Sequence, residues 1–197
     1  KKRCHNLDLV TPTHFVPQIL AALVVACGKG LRLPIVYNCA GYENLETLKL
    51  LDGVVDVYLP DAKYSDNKNA LRTSKMPRYV DHNQITLREM HRQVGPLQLD
   101  EEGIARRGLL IRHLVMPEDI SGTREVLRWI AEELGPDTPV SLMDQYFPAW
   151  KAVNDLVLNR RLTWTEYRAA IDALEEFKLD AGYVQEDLME LDTTSNV

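Results

Sequence analysis

The chain has few cysteines, no long apolar run and no excess of basic residues, and each shortage excludes a class of protein. Its 3 cysteines are widely spaced among 197 residues, which does not suit a disulfide framework, so we expect a reducing cytoplasm. The most apolar stretch, residues 19–27, is far shorter than the roughly 18–20 residues that a membrane-spanning helix needs. The net charge of −6 argues against nucleic acid or an anionic membrane as the main partner.

The remaining composition is that of an ordinary globular protein, with 45% apolar and 26% charged residues. A chain of this length can bury a sizeable core, so we predict a single domain over residues 1–197. Residues from about 180 show little pattern and are expected to form a poorly ordered tail. The three tryptophans are expected to pack in the core or between helices, and the cysteines to be small buried residues.

Short apolar strands alternate with helices along the chain. The predicted strands are residues 6–10, 33–37, 55–59, 109–116 and 139–143, and the predicted helices are residues 17–27, 43–51, 84–94, 123–134 and 163–177. The first helix is apolar nearly all round over residues 19–27, which indicates a deeply buried position. Strand and helix in alternation predict an α/β fold with a mainly parallel sheet and outer helices.

Each predicted strand is followed by polar residues. These residues are Thr11, Thr13 and His14; Asn38 and Tyr42; Asp61 and Lys63; Glu118 and Asp119; and Asp144 and Gln145. Two more, Arg112 and His113, lie on opposite faces of the fourth strand, so one of them points inward and needs a partner or a ligand. Because α/β enzymes keep their chemistry at the carboxyl ends of parallel strands, these residues predict a functional site there.

Five motifs occur in an order that resembles a known family. They are N-L-D-L-V-T-P-T-H-F-V-P, V-Y-N-C-A-G-Y-E, D-V-Y-L-P-D-A-K-Y, I-R-H-L-V-M-P and S-L-M-D-Q-Y-F-P. Together they resemble the uncharacterised subgroup of radical S-adenosylmethionine proteins related to pyruvate formate-lyase activating enzymes. The resemblance implies a partial TIM-like (β/α) barrel, a 4Fe–4S cluster, and S-adenosylmethionine cleaved to a 5′-deoxyadenosyl radical that abstracts hydrogen from a substrate. A protein substrate is one implied partner.

The family's cluster motif is absent from the chain. The family holds its cluster with C-x-x-x-C-x-x-C after the first strand, whereas Cys4, Cys27 and Cys39 are too far apart for that loop. By the resemblance, residue 1 falls just before the second barrel strand, so the first strand and the cluster loop are expected upstream. The chain alone is therefore expected to lack the cluster and the radical chemistry.

The resemblance implies roles for ten residues. The turn with Thr11 and Thr13, which contains no carboxylate, takes the place of the family's Gly-Gly-Glu turn and meets the amino group of the cofactor. Asn38 faces the cofactor and Gly41 lets the backbone approach it. Asp61 and Lys63 line the pocket and pair with the cofactor's polar groups. The remaining four residues are Arg112 and His113, on the strand facing the site, and Gln145 and Tyr146, near an adenine-contacting position.

Three alternatives stay open. In the first, Asp61 and Lys63 form a salt bridge at the end of the strand and bind no ligand. A metal-dependent barrel hydrolase or lyase would use Asp61, His113 and Asp144 as ligands for zinc or manganese. A non-catalytic barrel remnant would self-associate through the open sheet edge that its missing strand leaves.

Overall fold

The structure, a computed structural model that describes residues 4–185, is an α/β fold. Its strands are β1 (Leu7–Val10), β2 (Ile35–Cys39), β3 (Val57–Pro60), β4 (Gln98–Leu99), β5 (Ala105–Leu109), β6 (Ile111–Leu114), β7 (Val140–Met143) and β8 (Tyr183–Val184). Its helices are α1 (Val16–Gly28), α2 (Leu45–Lys49), α3 (Asn67–Ser74), α4 (Tyr79–Val94), α5 (Thr123–Glu133) and α6 (Trp164–Glu176). All but one of the strand pairings are parallel, which confirms the predicted fold class.

The chain divides into two compact units and crosses between them more than once. The first unit contains the residues up to Pro60 together with His82–Leu110, and the second contains Asp61–Asp81 together with the residues from Ile111 onward. The single domain predicted over 1–197 stays a prediction. Among residues 4–185, no helix combines the length and the apolar character that crossing a membrane requires.

The first unit is built on a sheet with the strand order β1-β2-β3-β5-β4. Tyr37 of β2 and Tyr58 of β3 are fully buried, and their rings meet edge to face with centroids 5.8 Å apart. Strand β4 runs antiparallel to β5. Gly108 of β5 has a φ of +120°, and a Cβ there would lie 2.4 Å from the Cα of Leu97. Only glycine fits this backbone approach.

Helix α1 is less buried than its composition indicates. Only Val16 and Leu23 of its residues are buried, whereas Val24 is 75% exposed and Val25 is also exposed. The prediction of a deeply buried helix is therefore wrong over the described residues. A helix packed on one side of a sheet buries one stripe of side chains, and apolar residues on its other faces do not change that geometry.

The second unit contains a parallel sheet with the order β6-β7-β8 and the helices α3, α5 and α6. The predicted fourth strand, 109–116, is divided at Leu110 into β5 and β6. Helix α6 begins with a capping box: the Thr163 side chain accepts the backbone N–H of Glu166, and the Glu166 side chain accepts the backbone N–H of Thr163.

Part of the predicted tail is an ordered strand. Tyr183 and Val184 form β8, which pairs with β7. Just before it, a Cβ on Gly182 would lie 2.1 Å from the carbonyl oxygen of Val140, so the absent side chain lets the two strands meet. Fraying of the tail thus stays a prediction, and residues 186–197 lie outside the described part of the chain.

Candidate cofactor-binding site

The end of β3 leads directly into the polar residues that the sequence singled out. Pro60 ends the strand, and Asp61 then forms an isolated parallel bridge with Arg112 of β6. The backbone N–H of Ala62 donates to the carbonyl oxygen of Arg112 at 2.8 Å. This pairing fixes the position of Asp61 beside Arg112 within the second unit.

Asp61, Lys63 and Arg112 form one charged cluster. The Asp61 residue is only 9% exposed. Its carboxylate accepts a hydrogen bond from the Lys63 ammonium and forms an ion pair with Arg112, whose Nη2 lies 2.6 Å from Asp61 Oδ1. Two cations on one carboxylate leave a net positive charge. The Nε–H of Arg112 is buried and has no acceptor among the described residues. The cluster can therefore receive an anionic or acceptor group, since a buried unsatisfied donor costs free energy until it is paired.

Tyr79 holds the backbone of this cluster in place, and sequence reasoning missed it. Its side chain is fully buried, its hydroxyl donates to the carbonyl oxygen of Asp61 at 3.2 Å, and it accepts the backbone N–H of Lys63 at 2.9 Å. Nothing in the local sequence signals this role, because Tyr79 begins α4 and is 16 residues from Lys63.

His113 lies on the opposite face of β6 from Arg112 and is fully buried. Its Nδ1 lies 2.6 Å from the carbonyl oxygen of Ala62, and its Nε2 lies 2.9 Å from the hydroxyl of Thr123. Burial lowers the pKa of His113 from 6.5 to about 4, although the Ala62 carbonyl and the charge of Asp61 oppose that shift. A neutral ring with Nδ1–H donating and Nε2 accepting satisfies both contacts, so neither nitrogen is left for a ligand.

Gln145 and Tyr146 follow β7, and their described hydrogen bonds are local to that loop. The Gln145 amide donates to the sulfur of Met143 at 3.3 Å, and the Tyr146 hydroxyl donates to the carbonyl oxygen of Leu158 at 2.7 Å. Burial raises the pKa of Tyr146. Both belong to the second unit, and their predicted role near adenine stays a prediction.

The other four predicted residues belong to the first unit. Thr11 and Asn38 are joined by a 2.8 Å hydrogen bond from the Thr11 N–H to the Asn38 carbonyl oxygen. Thr11 has a φ of +53° and Gly41 one of +68°, so both turns depend on left-handed backbone. The carbonyl oxygen of Gly41 accepts the side-chain amide of Asn83 at 2.8 Å.

A carboxylate that the sequence reasoning missed meets the turn after β1. Glu43 is buried. Its Oε1 accepts a hydrogen bond from the Thr13 hydroxyl at 2.7 Å, and its Oε2 accepts one from the Tyr37 hydroxyl at 3.0 Å. Burial and the charge of Glu43 raise the pKa of Tyr37, so the phenol stays protonated and donates. The available signal was an acidic residue in the loop that follows Asn38.

A curated protein is similar to the chain in sequence. No protein-family model matches the chain. The chain is 33% identical over 185 residues to the uncharacterized protein MJ0674 of Methanocaldococcus jannaschii, covering 91% of the chain and 50% of that protein. The chain thus spans about half the length of the curated relative it matches.

A solved structure is similar in fold. It is a domain of pyruvate-formate lyase-activating enzyme from Bacteroides vulgatus, with a TM-score of 0.61, 13% identity, and coverage of 92% of this chain and 99% of that domain. At this identity the likeness shows the fold alone. That fold is consistent with the expected partial (β/α) barrel.

The described residues do not fit an iron–sulfur cluster or a catalytic metal. Within residues 4–185, no group of three or more His, Cys, Asp or Glu side chains is placed to hold a metal ion. Cys4 and Cys27 are exposed, contrary to the burial predicted for them, while Cys39 is buried, and none of the three forms a disulfide. The hydrolase alternative therefore lacks its ligand set here, since His113 also has both nitrogens engaged.

Proposed function

We propose that this chain contributes an S-adenosylmethionine pocket to a radical enzyme of the pyruvate formate-lyase activating type. The observation that carries the proposal is the cluster of Asp61, Lys63 and Arg112, a net positive, half-buried site with a spare donor on Arg112. The ordered motifs and the shared fold with an activating-enzyme domain support it.

The polar groups of S-adenosylmethionine match this cluster in charge. Lys63 and Arg112 would bind the carboxylate of the methionine moiety, because a guanidinium and an ammonium form strong charge-assisted hydrogen bonds with carboxylates. Asp61 would orient both cations and accept from the amino group or a ribose hydroxyl. Bound S-adenosylmethionine supplies the adenosyl group that such enzymes use for hydrogen abstraction.

Because the described residues do not fit the 4Fe–4S cluster, the role proposed for them is cofactor binding alone. We expect the chain by itself to bind S-adenosylmethionine without radical chemistry. Roles for Thr11, Thr13, Asn38 and Gly41, in the first unit, stay predictions.

The test is isothermal titration of the chain with S-adenosylmethionine. We expect Lys63→Met to weaken binding by at least about tenfold, the loss expected from one charge-assisted hydrogen bond. Lys68→Met is the matched control, since Lys68 is an exposed lysine of the same unit. Asp61→Asn is compared with Asp137→Asn, an exposed aspartate, in the same way.

Two results would overturn this proposal. One is no heat of binding at millimolar cofactor with the wild-type chain. The other is equal weakening by the Lys63 and Lys68 variants, which would show unspecific charge attraction. If the wild-type chain does not bind the cofactor and Lys63→Met only destabilises the fold, the salt bridge between Asp61 and Lys63 has a purely structural role.

A specific observation also favours self-association. Among the described strands, β1 pairs only with β2, and Val10 at its end is exposed along with Val24 and Val25 of α1. An unpaired edge with apolar neighbours is a template for another strand. Sedimentation velocity is expected to show a concentration-dependent dimer that Val10→Lys dissociates, and a monomer at all concentrations would contradict this second candidate.

A further inference from the structure

The loop after β7 exposes large apolar side chains. Trp150 is 81% exposed and Leu156 is 95% exposed, and Phe147 and Val153 are also exposed. The prediction that Trp150 packs in the core or between helices is therefore wrong. Single exposed apolar residues are common, but several large ones in one short loop indicate an interaction surface, and tryptophan is frequent at the energetic centre of such surfaces.

A cavity of about 370 Å³ lies against this loop within the second unit. One side of it is formed by the end of α3, including Arg72 and Lys75, and the other by Trp150, Lys151 and Asp155. We call this cavity, together with Phe147, Trp150, Val153 and Leu156, the tryptophan surface. It offers both a recess for one side chain and an apolar rim.

The charges at the tryptophan surface are mostly positive. The cavity is lined by three cations and one carboxylate, and that carboxylate, on Asp155, is bound by Arg72 at 2.8 Å and by two backbone N–H groups. Lys151 Nζ lies 4.5 Å from the Trp150 ring centroid, and Arg161 lies over the Phe147 ring at 5.1 Å. A chain with a net charge of −6 thus has a locally positive apolar surface.

Hydrogen bonds within the loop hold it in this exposed conformation. Tyr146 donates to the carbonyl oxygen of Leu158, and the carboxylate of Asp155 accepts the N–H groups of Val157 and Leu158. Trp150 has a φ of +48°, a left-handed conformation that bulky residues rarely adopt. A surface held in its binding conformation loses less entropy when a partner docks.

We propose that the tryptophan surface docks an acidic polypeptide segment that carries an apolar anchor side chain. The anchor packs against Trp150 and enters the cavity, and flanking carboxylates pair with Lys75, Lys151 and Arg161. The local cations carry the choice of an acidic partner, and the exposed apolar rim carries the choice of a polypeptide with an apolar anchor. This inference does not depend on cofactor binding by the Asp61 cluster.

The experiment measures binding of a defined peptide to the full chain. The probe is a fluorescent twelve-residue peptide of alternating Glu and Leu, and its control replaces every Glu with Gln. We expect micromolar binding of the acidic peptide, weakened at least about tenfold by Trp150→Ser or by Lys151→Glu, as for central residues of an interface. Arg128→Glu, a charge reversal at an exposed residue of α5, is expected to leave binding within about twofold.

Circular dichroism of each variant checks that the fold is retained, and Lys151→Met replaces any variant that does not fold. Equal binding of the Gln peptide, equal weakening by Arg128→Glu, or no binding at all would overturn the proposal. A dimer that Trp150→Ser dissociates would assign the surface to a second copy instead. Binding that begins only when residues 186–197 are removed would assign it to the chain's own carboxyl-terminal segment, and both results would overturn the proposal as stated.

Discussion

Acidification should destabilise the protein through His113. The ring is fully buried, and burial lowers its pKa from 6.5 to about 4. As pH falls through 6.5, the unfolded chain gains a proton at this residue while the folded chain does not. The contribution of His113 to the free energy of unfolding is therefore fully present above about pH 6.5. It falls progressively as pH approaches 4, since the unfolded state binds more protons in that interval.

The expected magnitude follows from the size of the pKa shift. Each pKa unit corresponds to about 1.4 kcal/mol, so a depression from 6.5 to about 4 lowers the free energy of unfolding by about 3 kcal/mol between pH 7 and pH 4. A loss of this size is a large fraction of the stability of an ordinary domain. It is the contribution of one residue, and other titrating groups add their own.

Comparison with a variant isolates that contribution. Urea unfolding is measured at several pH values for the wild type and for His113→Gln, whose side chain does not titrate. The variant is less stable at neutral pH because it loses the ring contacts with Ala62 and Thr123, but its stability should fall less steeply with acidification. The two curves are expected to converge by about 3 kcal/mol as pH falls to 4.

Parallel curves for the wild type and the variant would refute this reasoning. If His113→Gln does not fold, a titration of the wild-type imidazole nitrogens by NMR replaces the comparison. The His113 ring should then stay neutral down to about pH 4 or until the protein unfolds. Protonation of the folded chain near pH 6.5 would show that burial does not dominate at this residue.

Two further predictions concern backbone contacts. Tyr79→Phe removes the hydroxyl that hydrogen-bonds to two backbone groups of the cluster. Urea unfolding should show a free energy of unfolding lower by about 1–3 kcal/mol, because buried backbone groups are left unpaired. Unchanged stability would mean that water replaces the hydroxyl. Gly182→Ala places a Cβ against the carbonyl oxygen of Val140 and should cost about 1–3 kcal/mol by forcing β8 from β7. Its control is Gly28→Ala, where nothing lies within 4 Å of the added carbon, and equal effects of the two would contradict the steric explanation.

Local sequence signals predicted much of the secondary structure. The capping box at Thr163 fixed the start of α6, and the alternating residues before Pro60 predicted β3. Strand β8 was missed because two residues carry no readable period and because the strand exists only through its pairing with β7. The break at Leu110 was missed for a similar reason, since an apolar run does not show where its hydrogen-bonding partners change.

The candidate site was predicted in part. Asp61 and Lys63 follow a strand two residues apart. Either Arg112 or His113 was expected to need a partner or a ligand, and the structure pairs Arg112 with Asp61. His113 carried the same signal as Arg112, because alternation shows that two neighbours face opposite ways without showing which face is the core. Tyr79 acts through contacts distant in sequence, so no local pattern pointed to it. The only signal for Glu43 was an acidic residue in the loop that follows Asn38.

The sequence by itself determined the α/β alternation, the strand-end position of the charged residues and the absence of the family's cluster motif. These follow from local periodicity, residue type and spacing. Only the tertiary structure decided which apolar side chains are buried. Trp150 and Val24 are as apolar as any core residue, yet they are exposed because burial depends on what other parts of the chain cover them.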